Sequence, residues 1–244
     1  MFCPSWCAEK CLQILLSYFE EYTETVAQRL TLPLILRRLS TLYRPPKTFL
    51  HYRTPLDLLI VTILSAQCTD KKVNEVSKEL FKKYKTAKDY VRVKREEMER
   101  DIKSTGFYRT KAKHIQALCH ILLREHGGEV PQTMKELVAL PGVGRKTAAI
   151  ILYAVFGKNE GIACDTHVIR LAQRLGLTKN RSQEKIEKDL MEQVPRREWG
   201  RVTTLLISHG RSVCTTRNRQ CGKCVFAKQC PSSLLTGKKD LAKE

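Results

Sequence analysis

Four cysteines at C-x6-C-x2-C-x5-C spacing, Cys214, Cys221, Cys224 and Cys230, constrain this chain more than any other feature. Pro231 follows the last of them. Four thiolates in so short a loop suit tetrahedral zinc or a four-iron cluster, and spacing alone does not choose between the two. In a small secreted chain such a cluster would read as disulfides. This chain has 244 residues, enough for one large domain or two small ones. Its opening residues make no export signal, because Glu9 and Lys10 interrupt them and the apolar stretch at 12–19 is short. No run approaches the roughly 20 apolar residues of a membrane span. The expectation is a cytoplasmic protein, with the cysteine cluster read as metal ligation.

The rest of the chain reads as helices, with no clear strand alternation. Thr54-Pro55-Leu56-Asp57 is a helix start: a capping threonine, proline at the first helical position and an acid in the first turn. The almost wholly apolar run at 58–64 predicts a helix buried all round. Val73, Val76, Leu80, Phe81 and Tyr84 recur at helical spacing, as do Ala112, Ile115, Cys119, Leu122 and Leu123, which Gly127-Gly128 ends. Thr133 and Glu136 form the pattern of a capping box before Leu137 and Leu140. Further helices are expected from about Gly144 to Phe156, from Thr166 to Leu175, and from Trp199 to a stop at Gly210. Residues 1–27 stand apart. Cys3, Cys7 and Cys11 fall on one helical face, a possible metal or redox patch, but the plainer reading is a dispensable extension or a mis-assigned start.

Lys plus Arg number 44 against 25 Asp plus Glu, a formal charge of +19. A surplus that large repels itself unless a polyanion is near, so nucleic acid is the first candidate partner and an anionic membrane surface the second. The string Leu140-Pro141-Gly142-Val143-Gly144-Arg145-Lys146-Thr147-Ala148 joins two helices by a tight glycine turn. Gly142 and Gly144 can take positive φ and leave backbone N–H groups uncovered at a helix N-terminus, a nest that binds phosphate without reading sequence. Lys146 lies in the first turn of the second helix. Alone it would read as a phosphate contact, but partial burial and the positive helix end would favour a neutral, nucleophilic amine. Asp165, in Ala163-Cys164-Asp165-Thr166-His167, sits where a helix N-cap is expected, and its carboxylate could also take a proton from Lys146 or stabilise a cationic sugar.

Taken together, these motifs resemble the endonuclease III family of DNA repair glycosylases. The resemblance covers about residues 28–232. It rests on four strings in the family's order: Leu64-Ser65-Ala66-Gln67-Cys68-Thr69-Asp70, Gly106-Phe107-Tyr108-Arg109-Thr110-Lys111-Ala112, the glycine hairpin with Lys146, and Asp165-Thr166-His167. The cysteine loop has the family's iron–sulfur spacing. The resemblance implies an all-α fold of two domains: a six-helix barrel over 48–158, and a second helical domain of 28–47 with 159–232 holding a [4Fe–4S] cluster on Cys214, Cys221, Cys224 and Cys230. Residues 233–244 would form a basic tail.

The same resemblance implies the chemistry. Duplex DNA carrying a damaged base or abasic site would lie across the mouth of the interdomain cleft, where Lys146 and Asp165 face each other. Lys146 would attack C1′ and displace the base, and β-elimination would cut 3′ to the lesion. Gln67 would fill the gap left by the flipped base, and Phe107, at a position where leucine is common, would be the wedge beside it. Gly142, Val143, Gly144 and Arg145 would hold backbone phosphates, and His167 would contact DNA or substrate. Cys68 and Cys164 depart from the usual family residues and carry no assigned role. An adenine-specific mismatch glycosylase lacks the hairpin lysine, so Lys146 argues against that branch. A pyrimidine-dimer glycosylase-lyase shares the same motifs and stays open, and a non-catalytic Fe–S or zinc DNA-binding module is the rival from another class. Nothing in the sequence suggests an obligate oligomer.

Overall fold

In the computed structural model, which describes residues 30–237 and 240–242, these periodicities become α-helices, with no strand among the described residues. Residues 1–27, with Cys3, Cys7 and Cys11, lie outside that range. The helices are α1 (Leu32–Leu42), α2 (Pro55–Leu64), α3 (Asp70–Lys83), α4 (Ala87–Arg92), α5 (Arg95–Ile102), α6 (Tyr108–Glu125), α7 (Met134–Val138), α8 (Arg145–Phe156), α9 (Thr166–Arg174), α10 (Gln183–Gln193) and α11 (Trp199–Ser212). No helix is long and apolar enough to cross a membrane.

Helix α2 starts as the sequence predicts. Thr54 Oγ1 accepts from Asp57 N at 3.1 Å, Asp57 Oδ2 accepts from Thr54 N at 3.3 Å, and Pro55 occupies the first turn. Every residue from Leu56 to Leu64 is buried. At α7 only half of the expected capping box forms. Thr133 Oγ1 accepts from Glu136 N, but its hydroxyl donates to the Glu136 carboxylate, which therefore does not reach back to the Thr133 backbone. Gly210 does not end α11, which runs on to Ser212. A Cβ at Gly210 would lie 3.0 Å from Arg170 Nη2 and 3.1 Å from His167 Nδ1, so this glycine permits close approach of α9 to α11. Helices α5 and α10 are charge-rich and carry few apolar positions. Helix α5 buries only Met98 and Ile102.

Two buried apolar cores result. The first gathers side chains of α2 to α8, among them Leu58, Tyr90, Met98, Ile115 and Leu152. The second joins Leu32, Ile35 and Leu39 of α1 to Val168, Leu171, Ile186, Leu190, Leu206 and Phe226, so the first described helix packs with the C-terminal part of the chain. An ion pair and a ring contact cross between the two. Arg211 pairs with Asp70 at the start of α3, and the Tyr153 ring of α8 occupies the space where a side chain at Gly200 of α11 would stand. The basic tail folds back as well. Asp240 is buried against Arg174, with Nε–Oδ1 at 2.9 Å and Nη2–Oδ2 at 2.8 Å.

Candidate active site

The glycine hairpin is built outward from the first core. Leu140 and Val143 are buried in it, while Gly142 and Gly144 are exposed. Gly142 has φ 79°, and a Cβ there would meet His114 at 3.0 Å. Gly144 departs from the expectation: its φ is −90°, and it serves as the N-cap of α8. As a cap without a side chain it leaves the first-turn N–H groups of α8 unclaimed, facing solvent at the positive end of the helix. That is the geometry of an anion site.

Lys146 stands in this first turn and is exposed, not partly buried as expected, because Ala148, Ala149, Ile151 and Leu152 take the core face of α8. Its neighbour Arg145, expected at a phosphate, is engaged within the protein. Arg145 Nε and Nη2 donate to Glu187 Oε2 and Oε1 at 2.8 and 3.0 Å. Glu187, only 7% exposed, also accepts from Ile162 N at 3.2 Å. Gly161 makes this approach possible, since a Cβ there would lie 2.4 Å from Glu187 Oε1. One carboxylate thus links the residue before Lys146 to the backbone three residues before Asp165. Ala163 N, donating to Thr203 Oγ1 at 3.0 Å, fixes the same connector to α11.

Asp165 is the N-cap of α9. Its Oδ1 accepts from His167 N and Val168 N, both at 2.9 Å, and among the described residues no donor reaches Oδ2. The carboxylate is therefore held by one oxygen and available at the other. His167 is half-buried, with Arg170 Nη2 3.1 Å from its Nδ1. A guanidinium only donates, so this contact forms in the tautomer that leaves Nδ1 unprotonated. Burial first, and the nearby Arg170 charge, outweigh Asp165 and hold this imidazole below its ordinary range. Cys164 is buried and inert, its thiol pushed up to about 12 by burial.

Gln67 and Phe107 share a feature. They are the two positive-φ residues other than glycine among the described residues, at 54° and 48°. Both are solvent-exposed, Phe107 by 65%, so its ring stands clear of the core.

The four loop cysteines carry free thiols and line one cavity with Arg174 and His209. Among the described residues no group of three or more His, Cys, Asp or Glu converges to hold a single metal ion. The donor set fits thiolate ligands to an inorganic cluster. Phe226 N lies 3.4 Å from Cys224 Sγ, Arg174 Nη1 lies 3.6 Å from Cys214 Sγ, and His209 Nε2 lies 3.4 Å from Cys224 Sγ. Burial lowers His209 to about 4, so its ring is neutral at pH 7. Tyr43 Oη lies 3.1 Å from its Nδ1, and Nε2 is the ring nitrogen beside the sulfur. Arg217, Lys223 and Lys228 of the loop are exposed, whereas Arg219 turns inward to Ser232 O and Asp240.

Sequence reasoning passed over Glu187, His209 and Arg174, which have no local motif. It also passed over Lys111, for which a signal existed: a lysine at position 111 on the stripe that continues through Ile115, Leu118 and Leu122.

Residues 60–196 match the HhH-GPD superfamily of base excision DNA repair proteins. Endonuclease III of Synechocystis sp. is 49% identical over 199 residues, covering 82% of this chain and 91% of that protein. Endonuclease III of Bacillus subtilis is 44% identical over 195 residues, covering 80% and 89%. Among solved structures, a trapped endonuclease III–DNA covalent intermediate, an estranged-adenine complex, superposes with a TM-score of 0.79 at 41% identity, over 84% of this chain and 96% of that one. On its helical fold, its motifs and these likenesses, the chain belongs to the endonuclease III family of the HhH-GPD superfamily.

Proposed function

We propose that this chain is a bifunctional DNA glycosylase and abasic-site lyase of base excision repair, which removes oxidised pyrimidines such as thymine glycol from duplex DNA. The observation that carries this reading is the setting of Lys146: an exposed amine in the first turn of a side-chain-free helix start, tied through Arg145 and Glu187 to the Asp165 connector. In this reading the two cores correspond to two domains, 48–158 and 28–47 with 159–232, with DNA along the mouth of the cleft between them. The basic surplus and the hairpin N–H groups hold phosphates, so affinity falls steeply with salt.

The damaged base is extruded, at a cost of a few kcal/mol for unstacking. Gln67 and Phe107 occupy the space it leaves. The Lys146 amine donates its lone pair to C1′, and the base departs with the electrons of the glycosidic bond. The amine loses a proton, for which the free oxygen of Asp165 is the acceptor, and sugar ring opening gives the Schiff base. Loss of a C2′ proton then expels the 3′ phosphate by β-elimination. His167, two residues beyond Asp165, contacts DNA or substrate. Cys214, Cys221, Cys224 and Cys230 would hold a [4Fe–4S] cluster, which when bound cross-links the basic loop through four thiolates.

Borohydride trapping tests the reading, on duplexes carrying thymine glycol, an abasic site or a cyclobutane dimer. A covalent complex is expected with the first two. Trapping with the dimer and the abasic site but not with thymine glycol would favour a pyrimidine-dimer glycosylase-lyase, and no trapping with any would overturn the proposal. The cluster has its own test. The purified protein is expected to be yellow-brown, with about four iron and four sulfide per chain, and a colourless zinc protein would refute it.

Asp165→Asn separates the two roles of that residue. An asparagine oxygen still caps α9, so fold and DNA affinity should hold. Single-turnover base release should fall by about 10²-fold, since the proton acceptor is gone. Unchanged turnover would leave Asp165 as a cap only.

A further inference from the structure

Lys111 is a cation where none is expected. It is 4% exposed, on the core face of α6, and no carboxylate pairs with it among the described residues. Its ammonium instead donates to two backbone carbonyls, Leu64 O and Thr105 O, each at 2.8 Å. Both carbonyls lie at the ends of helical segments. Leu64 is the last residue of α2, and the next turn bonds elsewhere: Cys68 N donates to Ser65 O and Ala66 N to Ile63 O. Thr105 ends the short 3-10 turn Lys103–Thr105, where Gly106 N donates to Lys103 O. Helix-end carbonyls carry partial negative charge and favour a cation.

The residues just beyond these two carbonyls give the bond its meaning. Three residues after Leu64 comes Gln67, and two after Thr105 comes Phe107, the strained pair at φ 54° and 48°. Left-handed backbone at a side chain other than glycine or asparagine costs of order 1–3 kcal/mol and persists only where its surroundings enforce it. Here one buried ammonium grips the root of both loops and sets their spacing, while both tips stay exposed. Desolvation of a lysine is costly, so an apolar residue at this position would be the cheaper solution if packing were the only demand.

We propose that Lys111 is a positioning residue for base extrusion: it locks the Gln67 and Phe107 loops at the separation and the strained conformation in which the two side chains enter the duplex together. This rests on the proposed glycosylase activity and assigns Lys111 no contact with DNA or with the reacting atoms. Its consequence is specific. Opening a duplex needs both tips in register, whereas an abasic site in single-stranded DNA needs no opening, so only the first reaction depends on the lock.

The test compares two rates for Lys111→Met, which keeps the chain length and removes the donors. One is release of thymine glycol from duplex DNA, and the other is β-elimination at an abasic site in single-stranded DNA. The ratio of duplex to single-strand rate is expected to fall by about tenfold or more, in the range that small misplacements produce. With 2-aminopurine opposite the lesion, the fluorescence rise that marks opening on wild-type binding should be lost. Lys111→Arg, which keeps the charge and can donate to both carbonyls, should restore part of the ratio. If Lys111→Met does not fold, Lys111→Gln, which keeps one donor group, is read by the same ratio. Equal losses on the two substrates, or no loss on either, would overturn the proposal. Absence of trapping by the wild-type chain would overturn the glycosylase reading on which it stands.

Discussion

Lys146→Ala is expected to abolish the borohydride-trapped complex on both thymine glycol and abasic duplexes and to lower turnover by about 10³-fold or more. In the proposed mechanism no neighbour can replace the nucleophile. The adjacent Arg145 is bound to Glu187, and a guanidinium stays protonated. For the same reason Lys146→Arg should be as inactive as the alanine variant while keeping the positive charge at the hairpin. The loss should be chemical, not structural: the side chain is exposed and lies off the core face of α8, so stability should change by no more than about 0.5 kcal/mol. Lys146→Arg should therefore bind lesion duplex with near wild-type affinity and salt dependence. Trapping that survives Lys146→Ala would place the nucleophile elsewhere. Turnover retained by Lys146→Arg would return Lys146 to the role of a phosphate contact, since arginine keeps that contact but cannot act as the nucleophile.

The hairpin around Lys146 was legible in the sequence because its chemistry is local: Gly142 takes positive φ and apolar Leu140 and Val143 pin the turn, although Gly144 serves as a cap with φ −90° and not as a second positive-φ glycine. The cap at Asp165 and the capping box at Thr54 are local in the same sense. The state of Arg145 was not legible. Its partner Glu187 lies 42 residues away on α10, a charge-rich helix with too few apolar positions to stand out. Gly210 shows the limit of punctuation rules: a glycine near a helix end reads as a stop, but here it serves the contact with α9. The strain at Gln67 and Phe107 was invisible, since neither residue type favours left-handed backbone and the ammonium at their roots belongs to neither loop.

Arg174→Met should be the most damaging change outside the site. The pair with Asp240 is buried on both sides, Arg174 at 2% and Asp240 at 8% exposure, and Arg174 also donates to Thr215 O at 2.8 Å and Thr216 O at 3.3 Å. Removing one partner of a buried pair costs about 3–5 kcal/mol, because the other charge stays buried without compensation. In a chain of this size that lowers Tm by roughly 10 °C or more, which calorimetry reads directly. Truncation after residue 237, which removes Asp240, should cost a comparable amount, and the double change less than the sum of the two. A Tm within about 2 °C of wild type after truncation would show the tail to be dispensable.

The pair also fixes the sign of a pH dependence. Burial alone would raise the Asp240 carboxyl, but the Arg174 hydrogen bonds and charge outweigh it and hold it below its ordinary value. Its contribution is therefore complete above the unfolded value of about 4 and is lost as pH falls through the lower folded value. Wild-type stability should drop more steeply below about pH 4 than that of the truncated chain. Function enters through the carbonyls that Arg174 holds. Thr215 and Thr216 begin the cysteine loop directly after Cys214, whose sulfur Arg174 also reaches. With the cluster placed on these thiols as proposed, a chain without the Arg174–Asp240 pair should lose cluster content and affinity for duplex DNA together, because the same guanidinium secures the first thiol and the backbone that carries Arg217.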